Sequence, residues 1–287
     1  MAIAGALTIA FSAILVKQAA VSPSTAAIFR CAYAVPVLGA LAWWEDRRLG
    51  PRSGRDRAVA ALAGVFFSAD LICWHHAIED VGAGLATVLG NLQVAFVPLV
   101  AWLALGERPA ARILATLPLV FSGVVLVSGV LEEGAYGANP QEGVVYGLAT
   151  GLAYTGFILV LRAGSGEQRR VAGPLFDATL VAVVVSVAAG LVIGDADLVP
   201  SWPAHVWLVI LALSSQVLSW LLISASLPRL PAALTSLLLT IQPVGSVLLG
   251  ALLFAEAPSA LQLAGVATIL VGLVMVARVR PPATEGI

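Results

Sequence analysis

Ten apolar stretches follow one another along this chain, and each has about the length needed to cross a lipid bilayer as a helix. A hydrocarbon core of about 30 Å needs roughly 20 helical residues, and unbroken hydrophobicity differs from the alternating pattern of membrane barrel strands. Hydrophobic residues are 60% and charged residues 11% of the chain, whereas soluble domains carry about a quarter charged residues. The sequence predicts an all-α integral membrane protein. The stretches are 2–17, 24–44, 58–78, 83–105, 111–131, 143–162, 173–194, 204–226, 232–254 and 260–277.

The two halves of the chain resemble each other at one fixed offset. Leu85–Val127 aligns with Leu234–Val276, and the matched pairs include Gln93 with Gln242, Glu107 with Glu256 and Gly123 with Gly272. Each half holds five stretches, and because five is odd, the second half enters the membrane from the side opposite the first. We therefore expect ten transmembrane helices arranged as two inverted five-helix repeats. The expected units are a first repeat at 1–131, an extracytoplasmic linker at 132–142, a second repeat at 143–278 and a cytoplasmic tail at 279–287.

Basic residues gather in the connections on one side of the membrane. The opposite connections are acidic and carry only Lys17 as a positive charge. Cytoplasmic loops are enriched in Lys and Arg, so this bias predicts that both termini are cytoplasmic. Of the 15 basic residues, 13 lie on the predicted cytoplasmic side: Arg47, Arg48, Arg52, Arg55, Arg57, Arg108, Arg112, Arg162, Arg169, Arg170, Arg229, Arg278 and Arg280.

Two charged residues fall inside apolar stretches at similar depth. At 1.5 Å per residue, Arg30 lies about 9 Å and Asp70 about 12 Å from the outer ends of their helices. Such residues are expensive in a bilayer and are candidates for function. Three interpretations stay open: a fixed ion pair or an outward-reaching Arg30, a contact between Arg30 and a substrate carboxylate, and proton coupling or gating at Asp70.

One turn beyond Asp70, an aromatic residue and two histidines continue the third stretch. Trp74 shares the face of Asp70 and is predicted to be a substrate-cavity wall or a lipid-facing residue of the interfacial aromatic belt. His75 and His76 are candidates for proton transfer at an outer gate, because histidine titrates near physiological pH. The alternative is that both are interfacial residues held by hydrogen bonds at a helix end.

Uncharged polar residues mark the middle of several stretches. Gln93 and Gln242 lie near the midplane of matching helices, where an inverted-repeat transporter binds its substrate. Asn91 adds a second amide, and Gln216 and Ser219 lie on a polar stripe of the eighth stretch. These five residues are candidate substrate contacts, and the alternative for the glutamines is hydrogen bonding between helices.

Several motifs carry a resemblance to a known family over nearly the whole chain. The sequence AFSAILVK at 10–17 runs into SPSTAAIFR at 22–30, and DLICWH at 70–75 precedes LGERP at 105–109. Gln-Pro at 242–243 precedes FAEAP at 254–258. The chain resembles the EamA-type ten-helix transporters of the drug/metabolite transporter superfamily. That resemblance implies two five-helix units, a bacterial inner-membrane location and export or exchange of small metabolites.

The leading prediction is therefore a secondary transporter, either an exporter or an exchanger, of a small metabolite such as an amino acid. No phosphate-binding loop of the Walker type is present, so the sequence predicts no direct use of ATP. No enzyme activity, cofactor, metal or nucleic-acid partner is expected. The lipid bilayer and a small-molecule substrate are the expected partners, with proton coupling and a homodimer left open. An alternative is a membrane sensor or assembly subunit without transport.

Overall fold

All regular secondary structure in the computed structural model is helical within the residues it describes, which are 2–106, 108–164, 170–222 and 232–278. Glu107 and the tail 279–287 lie outside those ranges. The helices are α1 (Ala2–Ala10), α2 (Ser12–Ala19), α3 (Pro23–Leu49), α4 (Gly54–Gly90), α5 (Gln93–Leu105), α6 (Ala111–Val127), α7 (Pro140–Gly164), α8 (Ala172–Ile193), α9 (Ala204–Leu211) with a π-helical continuation (Ala212–Ser219), α10 (Ala232–Phe254) and α11 (Ala260–Ala277).

Helix length and hydropathy agree with a membrane location. Within the described ranges, six helical stretches are long and apolar enough to cross a bilayer, and four shorter apolar helices accompany them. The prediction of an all-helical membrane protein is thereby confirmed. The six are Pro23–Leu49, Gly54–Gly90, Pro140–Leu161, Ala172–Ile193, Ala204–Leu222 and Ala260–Ala277, and the four are Leu7–Ala19, Gln93–Ala104, Ala111–Val127 and Gln242–Phe254.

The helix boundaries differ from the predicted stretches where the backbone bends. The third and fourth stretches join into α4, because their connection is a single bend at Gly82. Gly82 has φ of 84°, a conformation that glycine adopts at little cost. The first stretch is divided at Phe11 into α1 and α2. The fourth stretch is divided at Asn91 and Leu92, between the end of α4 and the start of α5.

Small residues allow the helices to approach closely. Helix α4 packs along α7 and α8, and α6 packs along α11. Where α6 crosses α11, a Cβ atom added to Gly265 would lie 2.7 Å from the carbonyl oxygen of Gly123, so only glycine fits. Close approach through small residues is the usual basis of helix association in membranes, where lipid provides no hydrophobic driving force.

A buried carboxylate caps the helical segment that follows Gly82. Glu256 is 4% exposed. Its Oε1 accepts hydrogen bonds from Lys17 Nζ at 2.7 Å and from the Ala83 N–H at 2.8 Å, and its Oε2 accepts one from the Gly84 N–H at 3.1 Å. The N–H groups at a helix start have no partner within the helix and favour a negative charge. We call this end of the bundle the Lys17 side.

A second set of ionic contacts closes the opposite end of α3, which we call the Arg52 side. Glu45 accepts hydrogen bonds from three backbone N–H groups at the start of α8. Arg52 pairs with Asp177 at 2.8 Å, and Arg170 pairs with Asp46 at 3.0 Å. These contacts attach the connection between α3 and α4 to the start of α8.

We expect Glu256→Gln to lower the thermal unfolding midpoint of the detergent-solubilised protein. The amide keeps the volume but leaves Lys17 without its partner charge, at a cost of about 1–3 kcal/mol of unfolding free energy. The matched control is Glu133→Gln, since Glu133 is exposed and a surface change of this kind shifts stability by about 0.5 kcal/mol or less. Equal midpoints for the two variants would contradict a stabilising role for the Glu256 cap.

Candidate functional site

A large cavity opens on the Lys17 side of the bundle. Its volume is about 840 Å³, and we call it the vestibule. It lies between the end of α2, the start of α3, the middle of α4 and the loop before α7. Its polar lining includes Lys17, Ser22, His75, Glu79 and Tyr136.

A smaller cavity lies about one helical turn deeper along α2 and α4. Its volume is about 60 Å³, and we call it the central cavity. Each water molecule needs about 10–15 Å³ by this measure, so the central cavity has room for about four waters. It brings together five residues predicted as site residues from the sequence: Arg30, Asp70, Trp74, Asn91 and Gln242.

Helix interruptions converge on the central cavity. Ser12 follows the break between α1 and α2, and Asn91 lies in the break between α4 and α5. Trp220 directly follows the π-helical segment, and Gln242 precedes Pro243 within α10. Irregular backbone at membrane depth is tolerated where it is buried in protein or lines a cavity, and π-helical segments recur at functional sites.

Arg30 is the most unusual group in the central cavity. Its side chain is buried, with 6% of the residue exposed, so it does not reach outward to the membrane surface. The guanidinium carbon lies 5.6 Å from the centre of the Trp74 ring. The Nε and Nη1 atoms have no hydrogen-bond partner among the protein atoms that the structure describes. A buried cation with free donors is suited to bind an anionic group.

Asp70 lines the same cavity without forming the fixed ion pair that the sequence left open. No nitrogen of Arg30 lies within 4.0 Å of an Asp70 oxygen, since the ion pairs of the described chain involve other residues. The two charges therefore face one polar space from α3 and α4 without direct contact. This arrangement leaves both groups available to a third partner.

The amides of the central cavity differ in how they are held. The Asn91 side chain donates to the Thr87 carbonyl oxygen at 2.8 Å, which fixes its amide nitrogen and leaves its oxygen as an acceptor. Gln242 is half-buried at the cavity wall in α10. The two amides reach the cavity from helices of different halves of the chain.

Three predicted substrate contacts do not line either of these cavities. Gln93 is buried at the first residue of α5, where its backbone lies against Gly151 of α7. The Gln216 side chain donates to Thr179 at 3.3 Å, and the Ser219 hydroxyl donates to the Ser214 carbonyl oxygen at 2.9 Å. Their contacts hold helices together or satisfy the local backbone.

The two histidines contact groups other than Glu79 and Asp80, the acids that lie four residues after them in the chain. His75 lines the vestibule, and its Nδ1 lies 3.0 Å from the Pro23 carbonyl oxygen. His76 stacks on Tyr146 and lies 3.9 Å from an Asp195 carboxylate oxygen. Both histidines therefore connect α4 to other elements near the vestibule rather than to the next turn of their own helix.

The sequence analysis missed several residues of the central cavity. Phe67 is three residues before Asp70, so the spacing of one helical face contained a signal for it. Thr150, Tyr154 and Trp220 come from distant helices, and no local pattern marks them. Tyr154 and Trp220 both pack on Phe157, so the aromatic wall is a product of tertiary structure.

No group of three or more His, Cys, Asp or Glu residues is placed to hold a metal ion within the ranges that the structure covers. The charged residues of the two cavities lie on three helices, with Lys17 on α2, Arg30 on α3, and Asp70 and Glu79 on α4.

Comparison with known proteins agrees with this architecture. A solved crystal structure of a protein superimposes with a TM-score of 0.59 at 17% sequence identity, over 99% of this chain and 97% of that chain. This likeness concerns the fold alone. No curated protein matches the chain. The EamA-like transporter family matches residues 1–129 and 141–278. Since the match spans nearly the whole chain, this protein belongs to the EamA-like transporter family of membrane transporters, within the drug/metabolite transporter superfamily.

Proposed function

We propose that this chain is a secondary transporter, an exporter or exchanger, of a small metabolite that carries an anionic group, such as an amino acid. The observation that carries the proposal is Arg30, a buried cation that lines a cavity within the bundle. Among the described residues its Nε and Nη1 donors have no hydrogen-bond partner, and no carboxylate forms an ion pair with it. Burial of an unpartnered charge is costly. A substrate carboxylate would supply the missing acceptor.

The rest of the central cavity supports a substrate with two polar ends and an apolar body. Asp70 is suited to accept hydrogen bonds from a substrate ammonium, and Asn91 and Gln242 offer neutral polar contacts. The aromatic rings of Tyr154 and Trp220 form an apolar wall. An amino acid combines these features, and a cavity with room for about four waters must widen to admit one.

Alternating access follows from the difference between the two ends of the bundle. The vestibule opens the Lys17 side, whereas the pairs Arg52–Asp177 and Arg170–Asp46 bridge the Arg52 side. If the Arg52 side is cytoplasmic, as its basic residues indicate, a bundle with the vestibule open is in a state open toward the outside. Transport would require the Arg52 side to open as the vestibule closes, with the interrupted helices as hinges.

We further propose ten membrane crossings as two inverted repeats, 1–131 and 143–278, joined by an outer linker at 132–142. The six long and four shorter apolar helices support this count, and the family matches each half separately. The acidic linker and the basic residues of the Arg52 side support cytoplasmic termini in a bacterial inner membrane.

A membrane sensor or assembly subunit without transport is the alternative function. Flux distinguishes the two, because a sensor that binds a metabolite in the central cavity would not move it across a sealed membrane. The purified chain in proteoliposomes, with a panel of unlabelled metabolites competing against a labelled amino acid, is the direct test. If no metabolite of the panel enters or leaves the vesicles, the result favours the alternative function.

We expect Gln242→Ala and Asn91→Ala to lower flux about tenfold or more, since loss of a buried hydrogen bond to substrate costs about 1–3 kcal/mol. Gln141→Ala is the matched control, because Gln141 is an exposed amide at the start of α7. Gln93→Ala separates two predictions. The sequence makes Gln93 a substrate contact, whereas the geometry of the central cavity leaves it out. A loss equal to that of Gln242→Ala would restore Gln93 as a substrate contact, whereas unchanged flux in Gln242→Ala would exclude the central cavity as the site.

Proton coupling is tested at Asp70. An imposed pH difference across the vesicle membrane should accelerate flux by the wild-type protein if Asp70 carries a proton during the cycle. Asp70→Asn cannot exchange a proton, so its residual flux should be independent of that pH difference. A pH response that persists in Asp70→Asn would assign coupling to another group, for which His75 and His76 beside the vestibule are the remaining candidates.

Cysteine accessibility tests the topology. In a background with Cys31 and Cys73 replaced by alanine, an impermeant maleimide added to intact cells should label Ala138→Cys beside the vestibule and leave Arg55→Cys unlabelled. Both should react after permeabilisation. Residues 55 and 138 are separated by three proposed crossings, so labelling of both positions from the same side would contradict the ten-helix topology. Reversed labelling would instead invert the orientation.

A further inference from the structure

Two tryptophan–arginine stacks lie side by side at the end of α3. The Arg47 guanidinium lies 3.9 Å from the centre of the Trp43 ring, and that of Arg48 lies 3.8 Å from the centre of the Trp44 ring. Each pair has the four-residue spacing that places side chains on one helical face. We call these four residues the Trp–Arg patch.

The depth of the patch follows from the length of α3, which is a membrane-spanning candidate from Pro23 to Leu49. At 1.5 Å per residue, Trp43 lies about 30 Å along the axis from Pro23, which equals the thickness of the hydrocarbon core. The tryptophans therefore lie at the interface, where such rings are enriched. The arginines lie one turn further out, at the level of the lipid phosphates.

Within the described residues, no acidic side chain neutralises the charges of the patch. The two neighbouring acids point elsewhere, since Glu45 accepts from the backbone at the start of α8 and Asp46 pairs with Arg170 at 3.0 Å. Across the part of the chain that the structure covers, no ion pair includes Arg47 or Arg48. Their stacking partners are open to the surroundings, with Trp43 57% and Trp44 49% exposed.

We propose that the Trp–Arg patch binds the headgroup phosphate of an anionic phospholipid such as phosphatidylglycerol. A guanidinium presents paired N–H donors that match the oxygens of a phosphate. Stacking on the indole ring holds the guanidinium plane and leaves its edge free to donate. The exposed indole rings lie against the upper part of the acyl chains. This site is independent of the central cavity and does not rest on the transport proposal.

Native mass spectrometry of the purified full chain in detergent, titrated with phosphatidylglycerol or phosphatidylcholine, measures the binding. We expect the wild-type protein to retain phosphatidylglycerol preferentially. Each arginine near an anionic surface contributes about a fivefold gain in affinity, so the double variant Arg47→Gln/Arg48→Gln should bind phosphatidylglycerol roughly 25-fold more weakly. An unchanged affinity in this variant, or equal retention of both lipids by the wild type, would overturn the proposal.

Two further variants separate the stacked geometry from general positive charge. Arg112→Gln removes an exposed arginine that has no tryptophan stack among the contacts described, and it should retain phosphatidylglycerol like the wild type. Arg47→Lys/Arg48→Lys keeps the charge but loses the planar donors, so we expect an intermediate affinity. A loss in Arg112→Gln as large as in the double glutamine variant would show that charge alone attracts the lipid, which contradicts a built site.

Soluble glycerol phosphate distinguishes a lipid site from a general phosphate site. At concentrations equal to those of the lipid it should not displace phosphatidylglycerol, because it lacks the acyl chains that lie against Trp43 and Trp44. Full displacement would overturn the assignment to a lipid. Unfolding midpoints measured without added lipid show whether each variant is folded, and matching midpoints make any loss of binding specific to the patch.

Discussion

A carboxylate or guanidinium inside a bilayer-spanning bundle is stable only where protein groups replace the hydrogen bonds and charges that water would supply. Glu256 meets this condition through Lys17 and two N–H groups of α4, and Asp177 meets it through Arg52. Arg30 does not, because no carboxylate among the described residues lies within 4.0 Å of it. Two buried nitrogen atoms of Arg52 likewise have no hydrogen-bond partner there, but Arg52 keeps its ion pair with Asp177. The contrast separates groups that hold the fold together from a group available to a ligand, and it selects the central cavity among the cavities of the bundle.

The same requirement explains why the closed and open ends of the bundle differ. On the Arg52 side, Glu45 and Asp46 satisfy a helix start and a cation from another element, so separating α3 from α8 would expose several charged groups together. On the Lys17 side, the Glu256 cap joins α2, α4 and α10 while the vestibule stays open beside it. If the Arg52 side opens, these charges therefore need new hydrogen-bond partners. Water that enters from that side can supply them.

Local sequence patterns predicted the elements of the structure better than the contacts between them. Hydropathy identified the apolar helices. The four-residue spacing put Asp70 and Trp74 on one helical face, and both side chains line the central cavity. Glu79 lies four residues after His75, on the same face of α4, but the partner of His75 is the Pro23 carbonyl oxygen of α3. The burial of Glu256 depends on Gly82, which is 174 positions away in the chain. Tyr154 and Trp220 enter the cavity from distant helices, and no local pattern marks either aromatic residue. Partners brought together by tertiary packing leave no periodic trace in a sequence.

Breaks in helices connect the fold to movement. A continuous helix in lipid satisfies its own backbone hydrogen bonds, so each interruption needs a compensating environment. Ser12, Asn91, Trp220 and Gln242 lie beside four such interruptions, and all four line the central cavity. A cavity bounded by helix interruptions can widen when the half-helices rotate slightly. The close contact of α6 with α11 at Gly123 and Gly265 need not separate for this. Such widening would move the broken helices against this close pair, and it would shift the residues beside the breaks, which line the central cavity.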